Sequence, residues 1–233
     1  MKEIIRERLG DAMIKAILFD LDGTLLNRDE SVQLFIANQY DRFSHYLDHI
    51  PKEQYIHRFI HLDNHGYVWK DQVYKQLVSE FSIEKLQSED FLQDYIENFH
   101  DYAVPYNHLI SVLDNLKTQG LLLGIITNGF GQFQMSNIEA LGISDYFHTI
   151  LVSEWEGIKK PDPAIFHSAV NKLQVTPSEC VYIGDHPIND IKAAQEVGMR
   201  TIWKKNSNYF HFKDSFSINE LVEIPPMVKE FSR

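Results

Sequence analysis

Asp20 and Asp22 stand one residue apart at the end of an apolar run, Ala16-Ile17-Leu18-Phe19, and are followed by Gly23-Thr24. Two carboxylates at the mouth of a buried strand are costly unless a positive charge joins them. A hard divalent cation with oxygen ligands is the natural partner. Residues i and i+2 of a strand point to the same side, so both carboxyls can flank one phosphorus. Hydrolysis of a phosphate ester needs a nucleophile and a proton donor for the leaving alcohol, and two carboxyls can divide those roles.

Three further stretches carry comparable chemistry. Thr127-Asn128-Gly129 ends a second apolar run, residues 121–126. Its hydroxyl and backbone N–H groups, beside a helix start, suit phosphate oxygens; the same tripeptide also makes an ordinary turn. Lys160 sits in Gly157-Ile158-Lys159-Lys160-Pro161-Asp162-Pro163, where Lys159 leaves the register open. Gly184-Asp185-His186-Pro187-Ile188-Asn189-Asp190 closes another apolar run with two more carboxylates. Asp190 also stands where it would cap a following helix.

These residues need a scaffold that gathers strand ends. Short apolar runs at residues 14–19, 121–126, Thr149–Val152, 181–184 and 201–203 read as strands buried on both faces. Helical patterns over 108–118, 131–141, Pro163–Leu173 and 190–197 separate the later ones, with Gly120, Gly142 and Gly198 as stops. Alternating strands and helices imply a parallel sheet with right-handed crossovers. The C-terminal ends of its strands then lie on one edge, where open α/β folds place their ligands. Between residues 30 and 103 strand character disappears. Phe35, Ile36, Tyr40, Phe43 and Leu47, then Val73, Leu77 and Phe81, then Phe91, Ile96 and Phe99 recur at helical spacing, which predicts about four helices inserted as a module. Residues 1–13 show a helical pattern around Ile4, Ile5 and Leu9, and the stretch containing Pro225-Pro226 reads as a surface tail.

Phe19-Asp20-Leu21-Asp22-Gly23-Thr24-Leu25, with Thr127-Asn128-Gly129, Lys160-Pro161 and the Gly184–Asp190 segment in that order, resembles the four motifs of the haloacid-dehalogenase (HAD) superfamily, mostly magnesium-dependent phosphatases. The likeness spans the core from Ile14 to Trp203. It implies a Rossmann-like α/β core of residues 1–28 and 104–233, with an inserted all-α, C1-type cap over 29–103 that closes on the site and supplies substrate contacts. It makes Asp20 the nucleophile that becomes an aspartyl-phosphate. Asp22 becomes the general acid and then the base. Thr127, Asn128 and Lys160 would hold the phosphate, the Lys-Pro pair choosing Lys160 over Lys159. Mg²⁺, replaceable by Mn²⁺, would be held by Asp20, the backbone carbonyl of Asp22, and Asp185, with Asp190 bonding a metal-bound water or Lys160. His186 stands where the family carries a small residue. The family's dehalogenases lack the second aspartate and its phosphatases keep it, so Asp22 points to a phosphomonoesterase acting on a small soluble ester, a sugar phosphate or nucleoside monophosphate. The same superfamily holds hexose-phosphate mutases, 2-haloacid dehalogenases and phosphonatases with a cap lysine, for which Lys52, Lys70, Lys75 and Lys85 are available. A non-catalytic sensor of phosphorylated metabolites would have lost one of Asp20, Asp22, Lys160 or Asp185.

The remaining composition narrows the partners. A formal net charge of -11 over 233 residues argues against nucleic acid. The charged N-terminus lacks a secretory leader's apolar core, no run is long enough to span a bilayer, and the one cysteine, Cys180, allows no intrachain disulfide. A cytoplasmic protein is expected. His57, His61 and His65 are spaced as one helical stripe, but lack the glutamate of a zinc-protease motif and read as a polar face. His65, Tyr67, Trp69 and Lys70 cluster around Gly66 in an expected loop, as substrate contacts or as packing and surface.

Overall fold

A computed structural model describes residues Met13–Phe231; apart from Met13, the helical pattern expected over residues 1–13 lies outside them. The chain divides into two compact units. One holds the described residues up to Asn27 together with those from Pro105 onward, and the other is Arg28–Val104.

Strand β1 (Ala16–Phe19) opens the first unit. The inserted unit then contributes α1 (Arg28–Arg42), α2 (Ser44–Leu47), α3 (Lys52–Asp63), α4 (Lys70–Glu80) and α5 (Ser88–Asn98). The expected count is about four; the pattern running from Phe35 to Leu47 is broken after Arg42 into α1 and the single turn α2. The aromatic interior is built on Phe35, Phe59, Tyr74, Phe91, Tyr95 and Phe99, with Tyr74 and Phe91 stacked at 5.6 Å. Ile96 is exposed, and Tyr95 takes its place on a Phe91–Tyr95–Phe99 face of period four.

The histidine stripe does not form. Helix α3 ends at Asp63, and Asn64 and His65 turn into the left-handed region at φ 46° and 57°. Lys70 is not in a loop but begins α4, almost fully buried. Its ammonium pairs with Asp63, whose carboxylate also takes both oxygens' worth of bonding from Arg28 Nη2 at 2.9 Å. Burial disfavours the Asp63 charge, but Arg28 and Lys70 outweigh it and hold this carboxyl below the usual range. Lys70 is therefore committed to the inserted unit's own interior. Lys52 and Lys75 pair with Asp41 and Asp71 at its surface.

After Pro105 come α6 (Leu109–Thr118), β2 (Leu122–Thr127), α7 (Gly131–Ala140), β3 (Thr149–Val152), α8 (Ser153–Glu156), α9 (Pro163–Leu173) and β4 (Cys180–Gly184). A π-helical turn, Pro187–Lys192, runs into α10 (Ala193–Glu196), followed by β5 (Arg200–Lys204), β6 (Ser217–Ile218) and α11 (Ile224–Phe231). The six strands form one sheet in the order β3-β2-β1-β4-β5-β6, and every neighbouring pair is parallel. This is the expected Rossmann-like α/β core. Ala16, Leu18, Ile126, Leu151 and Tyr182 on one face pack with Ile165, Phe166 and Ala169 of α9.

The end of the chain is not a surface tail. Ile218 pairs beside Lys204, and Ile224 and Val228 of α11 are buried one turn apart. Pro225 and Pro226 fall in the first turn of that helix, where the missing N–H groups have no intrahelical partner to lose. Among the described residues no helix is long and apolar enough to cross a membrane. Cys180 is buried at the start of β4, and burial pushes its thiol up to about 12, which suits packing and not nucleophilic chemistry.

Candidate active site

The strand order reverses beside β1. The chain moves outward through β2 and β3 on one side, then returns to lay β4, β5 and β6 on the other. Asp20 follows β1 and Asp185 follows β4, the two strands that flank the reversal, while Thr127 ends β2 next to β1. Residues far apart in sequence thus meet at one point on the sheet's C-terminal edge.

Asp20 continues the ladder of β1, its N–H donating to the Ile183 carbonyl at 2.9 Å. The chain then folds back at once, for the Leu21 carbonyl accepts from the N–H groups of Thr24, Leu25 and Leu26. Gly23 lies in this turn at φ 82°, and a Cβ there would overlap the Asp185 carboxylate. The turn brings Thr24, fully buried, back to Asp20, where its hydroxyl donates to Oδ2 at 3.1 Å. The other oxygen, Oδ1, accepts from Lys160 Nζ at 2.6 Å.

Lys160 is 3% exposed, so its charge must be met internally. Its ammonium also donates to Asp190 Oδ1 at 2.7 Å and to the Tyr182 hydroxyl at 2.9 Å, completing three bonds. Burial alone would lower its pKa; Asp190 and Asp20 overcome that and hold it well above the ordinary lysine value. Its main chain is held as well. Asn128 accepts from the Lys160 N–H and donates to the Lys160 carbonyl, both at 2.9 Å, beside a cis Lys160-Pro161 peptide. The Asn128 side chain is engaged with the Lys160 main chain, so a bond from Asn128 to phosphate falls to its backbone N–H, the group expected there.

Asp190 does not cap a helix. The helical run begins at Pro187, and the cap is the His186 ring, whose Nδ1 accepts from the N–H groups of Ile188 and Asn189 at 3.0 Å. Asp190 sits inside the π-helical turn with Oδ2 accepting from the His186 N–H at 2.9 Å and Oδ1 from Lys160. Asp185 accepts from Asn206 at Oδ2, 2.6 Å, and its carbonyl accepts from the Trp203 indole at 2.8 Å.

Carboxylate oxygens of Asp20, Asp185 and Asp190 lie within 4.8 Å of one another. Burial pushes Asp20 up to about 7 despite Lys160, with Asp190 and Asp22 adding to the rise. Asp185 is raised by burial and then by Asp20 and Asp190. Asp20 and Asp190 share one ammonium, Asp185 lies beside them, and all these donors are oxygen, so the set fits a hard divalent cation. Asp22 is not in this group. Its carboxylate accepts from Gln134 Nε2 at 2.7 Å.

The elevated carboxyls give a sign for pH. A folded Asp20 with a pKa near 7, against 3.8 for the free side chain, holds a proton that the unfolded chain releases, so this group's contribution to metal-free stability declines as pH rises from about 4 to about 7. An entering cation must displace that proton. Affinity for a divalent cation is therefore expected to tighten about tenfold from pH 6 to pH 8, with proton release. Titration calorimetry in two buffers of different ionisation enthalpy measures both; a flat affinity with no proton release would count against this geometry.

Sequence reasoning named Asp20, Asp22, Thr127, Asn128, Lys160, Asp185 and Asp190, and the structure gathers all seven at one sheet edge. It passed over Thr24, Gln134, Tyr182, His186 and Asn206, which hold them. The available signal was polarity in an apolar setting: Gln134 is four residues ahead of buried Ile138 on α7, and Tyr182 is in the middle of β4.

The chain is 30% identical to a glyceraldehyde 3-phosphate phosphatase of Methanocaldococcus jannaschii, over 95% of this chain and 100% of that one. It is 27% identical to the pyrophosphatase PpaX of Bacillus pumilus, over 94% and 99%. The crystal structure of a HAD phosphatase from Thermococcus onnurineus is similar at a TM-score of 0.65 and 28% identity, covering 92% of this chain and 98% of that one. The profile of the haloacid dehalogenase-like hydrolases matches residues 17–204, from within β1 to the end of β5, so the chain belongs to that family.

Proposed function

We propose that this hydrolase, a phosphatase by its kinship, is a Mg²⁺-dependent phosphomonoesterase of the cytoplasm that works through an aspartyl-phosphate on Asp20. The observation that carries the reading is the buried Lys160 ammonium shared by Asp20 and Asp190, next to Asp185. A cation at a sheet edge, with a carboxylate beside it and an acidic cluster for a metal, is what transfer of a dianionic phosphoryl group requires.

In this reading an Asp20 oxygen attacks phosphorus in line, and the bond to the leaving alkoxide breaks. Asp22 gives that alkoxide its proton. The carboxylate so formed on Asp22 then takes a proton from water, which attacks the aspartyl-phosphate and frees inorganic phosphate with Asp20 restored. Lys160 neutralises the phosphoryl oxygens, and Thr127 with the Asn128 N–H holds them. Asp20, the Asp22 carbonyl and Asp185 hold the metal, with Asp190 fixing Lys160. Bound Mg²⁺ screens the repulsion between the Asp20 carboxylate and the anionic phosphate. Arg28–Val104 serves as the cap, and with it the choice of substrate, a small phosphorylated metabolite. Glyceraldehyde 3-phosphate and related sugar phosphates are the first candidates by kinship, with pyrophosphate and nucleoside monophosphates after them.

Phosphate release is expected from a panel of glyceraldehyde 3-phosphate, sugar phosphates, nucleoside monophosphates, pyrophosphate and p-nitrophenyl phosphate. It should require Mg²⁺ and stop with EDTA. Chloride release from 2-chloropropionate without phosphate release from any ester would replace the reading by dehalogenation, against which Asp22 stands.

A further inference from the structure

Gln134 lies in the first two turns of α7 and is 2% exposed. A buried carboxamide must spend its donors, and this one spends them on two groups of the site. Its Nε2 donates to Asp22 Oδ2 at 2.7 Å and to Thr127 Oγ1 at 2.6 Å, with the Asn128 carbonyl more distant at 3.4 Å. Its own oxygen faces Asn137 Nδ2 at 3.5 Å, so the amide is oriented by an acceptor side and a donor side. The loop before α7 leaves room for this chain, since a Cβ on Gly129 would stand 2.7 Å from Gln134 Cγ.

We propose that Gln134 is a positioning residue that aims Asp22 at the leaving-group oxygen; the proposal rests on Asp22 being the general acid. One Asp22 oxygen is held by the amide, which leaves the other to carry and deliver the proton. The same amide donates to Thr127, which then must direct its single hydroxyl proton elsewhere, toward the phosphoryl oxygen that Thr127 holds. One side chain thereby sets the rotamer of the acid and the direction of a phosphate donor.

A positioning role for the acid leaves a signature that general damage does not. p-Nitrophenolate leaves well without a proton, whereas an alkoxide such as glycerol does not. Gln134→Met keeps the length and the burial but removes both donors. It is expected to lower kcat/KM for glycerol phosphate about 100-fold and for p-nitrophenyl phosphate by less than about fivefold, the smaller loss, common to both esters, being the part that passes through Thr127. Gln134→Glu keeps the shape and turns an acceptor toward Asp22, and is expected to give the same split if the methionine variant folds poorly. Asp22→Asn in parallel must show the split too. If Asp22→Asn shows it and both Gln134 variants lower the two esters equally, the inference falls while the function stands. If the wild type releases no phosphate, both fall.

Discussion

Asp20→Asn is expected to cut phosphate release on the order of 10⁴-fold or more, because removal of a covalent nucleophile leaves only binding and electrostatics. The same change should barely alter stability near neutral pH. Asp20 is buried enough that its pKa is pushed up to about 7, so near that pH its charge is worth little to the metal-free fold. The neutral amide keeps an oxygen for Lys160 or Thr24, and Lys160 retains Asp190 and Tyr182. Thermal unfolding of the variant within a few degrees of wild type, together with lost turnover and lost phosphorylation of the chain by substrate, is the expected pattern. Full turnover in Asp20→Asn would exclude an aspartyl-phosphate at this residue.

Lys160→Met is expected to damage both folding and chemistry. Among the described residues the ammonium is the single cation bonded to both Asp20 and Asp190, and its removal strands two buried carboxylates. Breaking a buried pair by deleting one partner costs about 3–5 kcal/mol. The loss should be greater at pH 8 than at pH 6, because the raised Asp20 can take up a proton at the lower pH. Divalent cation should restore part of it, since Asp20, Asp185 and Asp190 still offer oxygens. Turnover should drop about 10³-fold even with the cation present, since the charge facing the phosphoryl oxygens is gone. Melting curves at the two pH values, with and without Mg²⁺, check the first part and phosphate release the second. A melting temperature unchanged from wild type in metal-free buffer would mean that Lys160 does not neutralise this cluster.

Five of the six strands described were legible because apolar runs flanked by glycine and polar turns leave few alternatives; β6, two residues long, has no such run. The site was legible where a motif combined an unusual charge with a strand end, as at Asp20 and Asp185. It was not legible where a residue acts by meeting something distant in sequence. The N–H of Asn128 suits phosphate, but nothing near that residue announces that its side chain will meet the main chain of Lys160. The bond from Asp190 to Lys160 was legible, but the alternative of a cap at Asp190 fails, because the helix start at Pro187 and the His186 cap depend on geometry rather than on residue type. Pro225-Pro226 suggested the end of structure, although the first turn of a helix tolerates both. Lys70 resembled a surface or ligand-binding lysine until the fold placed Asp63 and Arg28 against one another within the same unit.

The insertion is closed at its neck. Leu26 and Pro105 pair as an antiparallel bridge, and the Tyr106 N–H donates to the Leu25 carbonyl at 3.0 Å. The chain therefore leaves and re-enters the sheet-bearing unit through a closed stitch, much like the two ends of a hairpin. Every residue assigned here to chemistry lies outside that stitch. Heritable change can lengthen, shuffle or replace the looped-out segment without moving a nucleophile, a metal ligand or a proton donor. Such a chain can diversify what it acts on while its reaction stays the same.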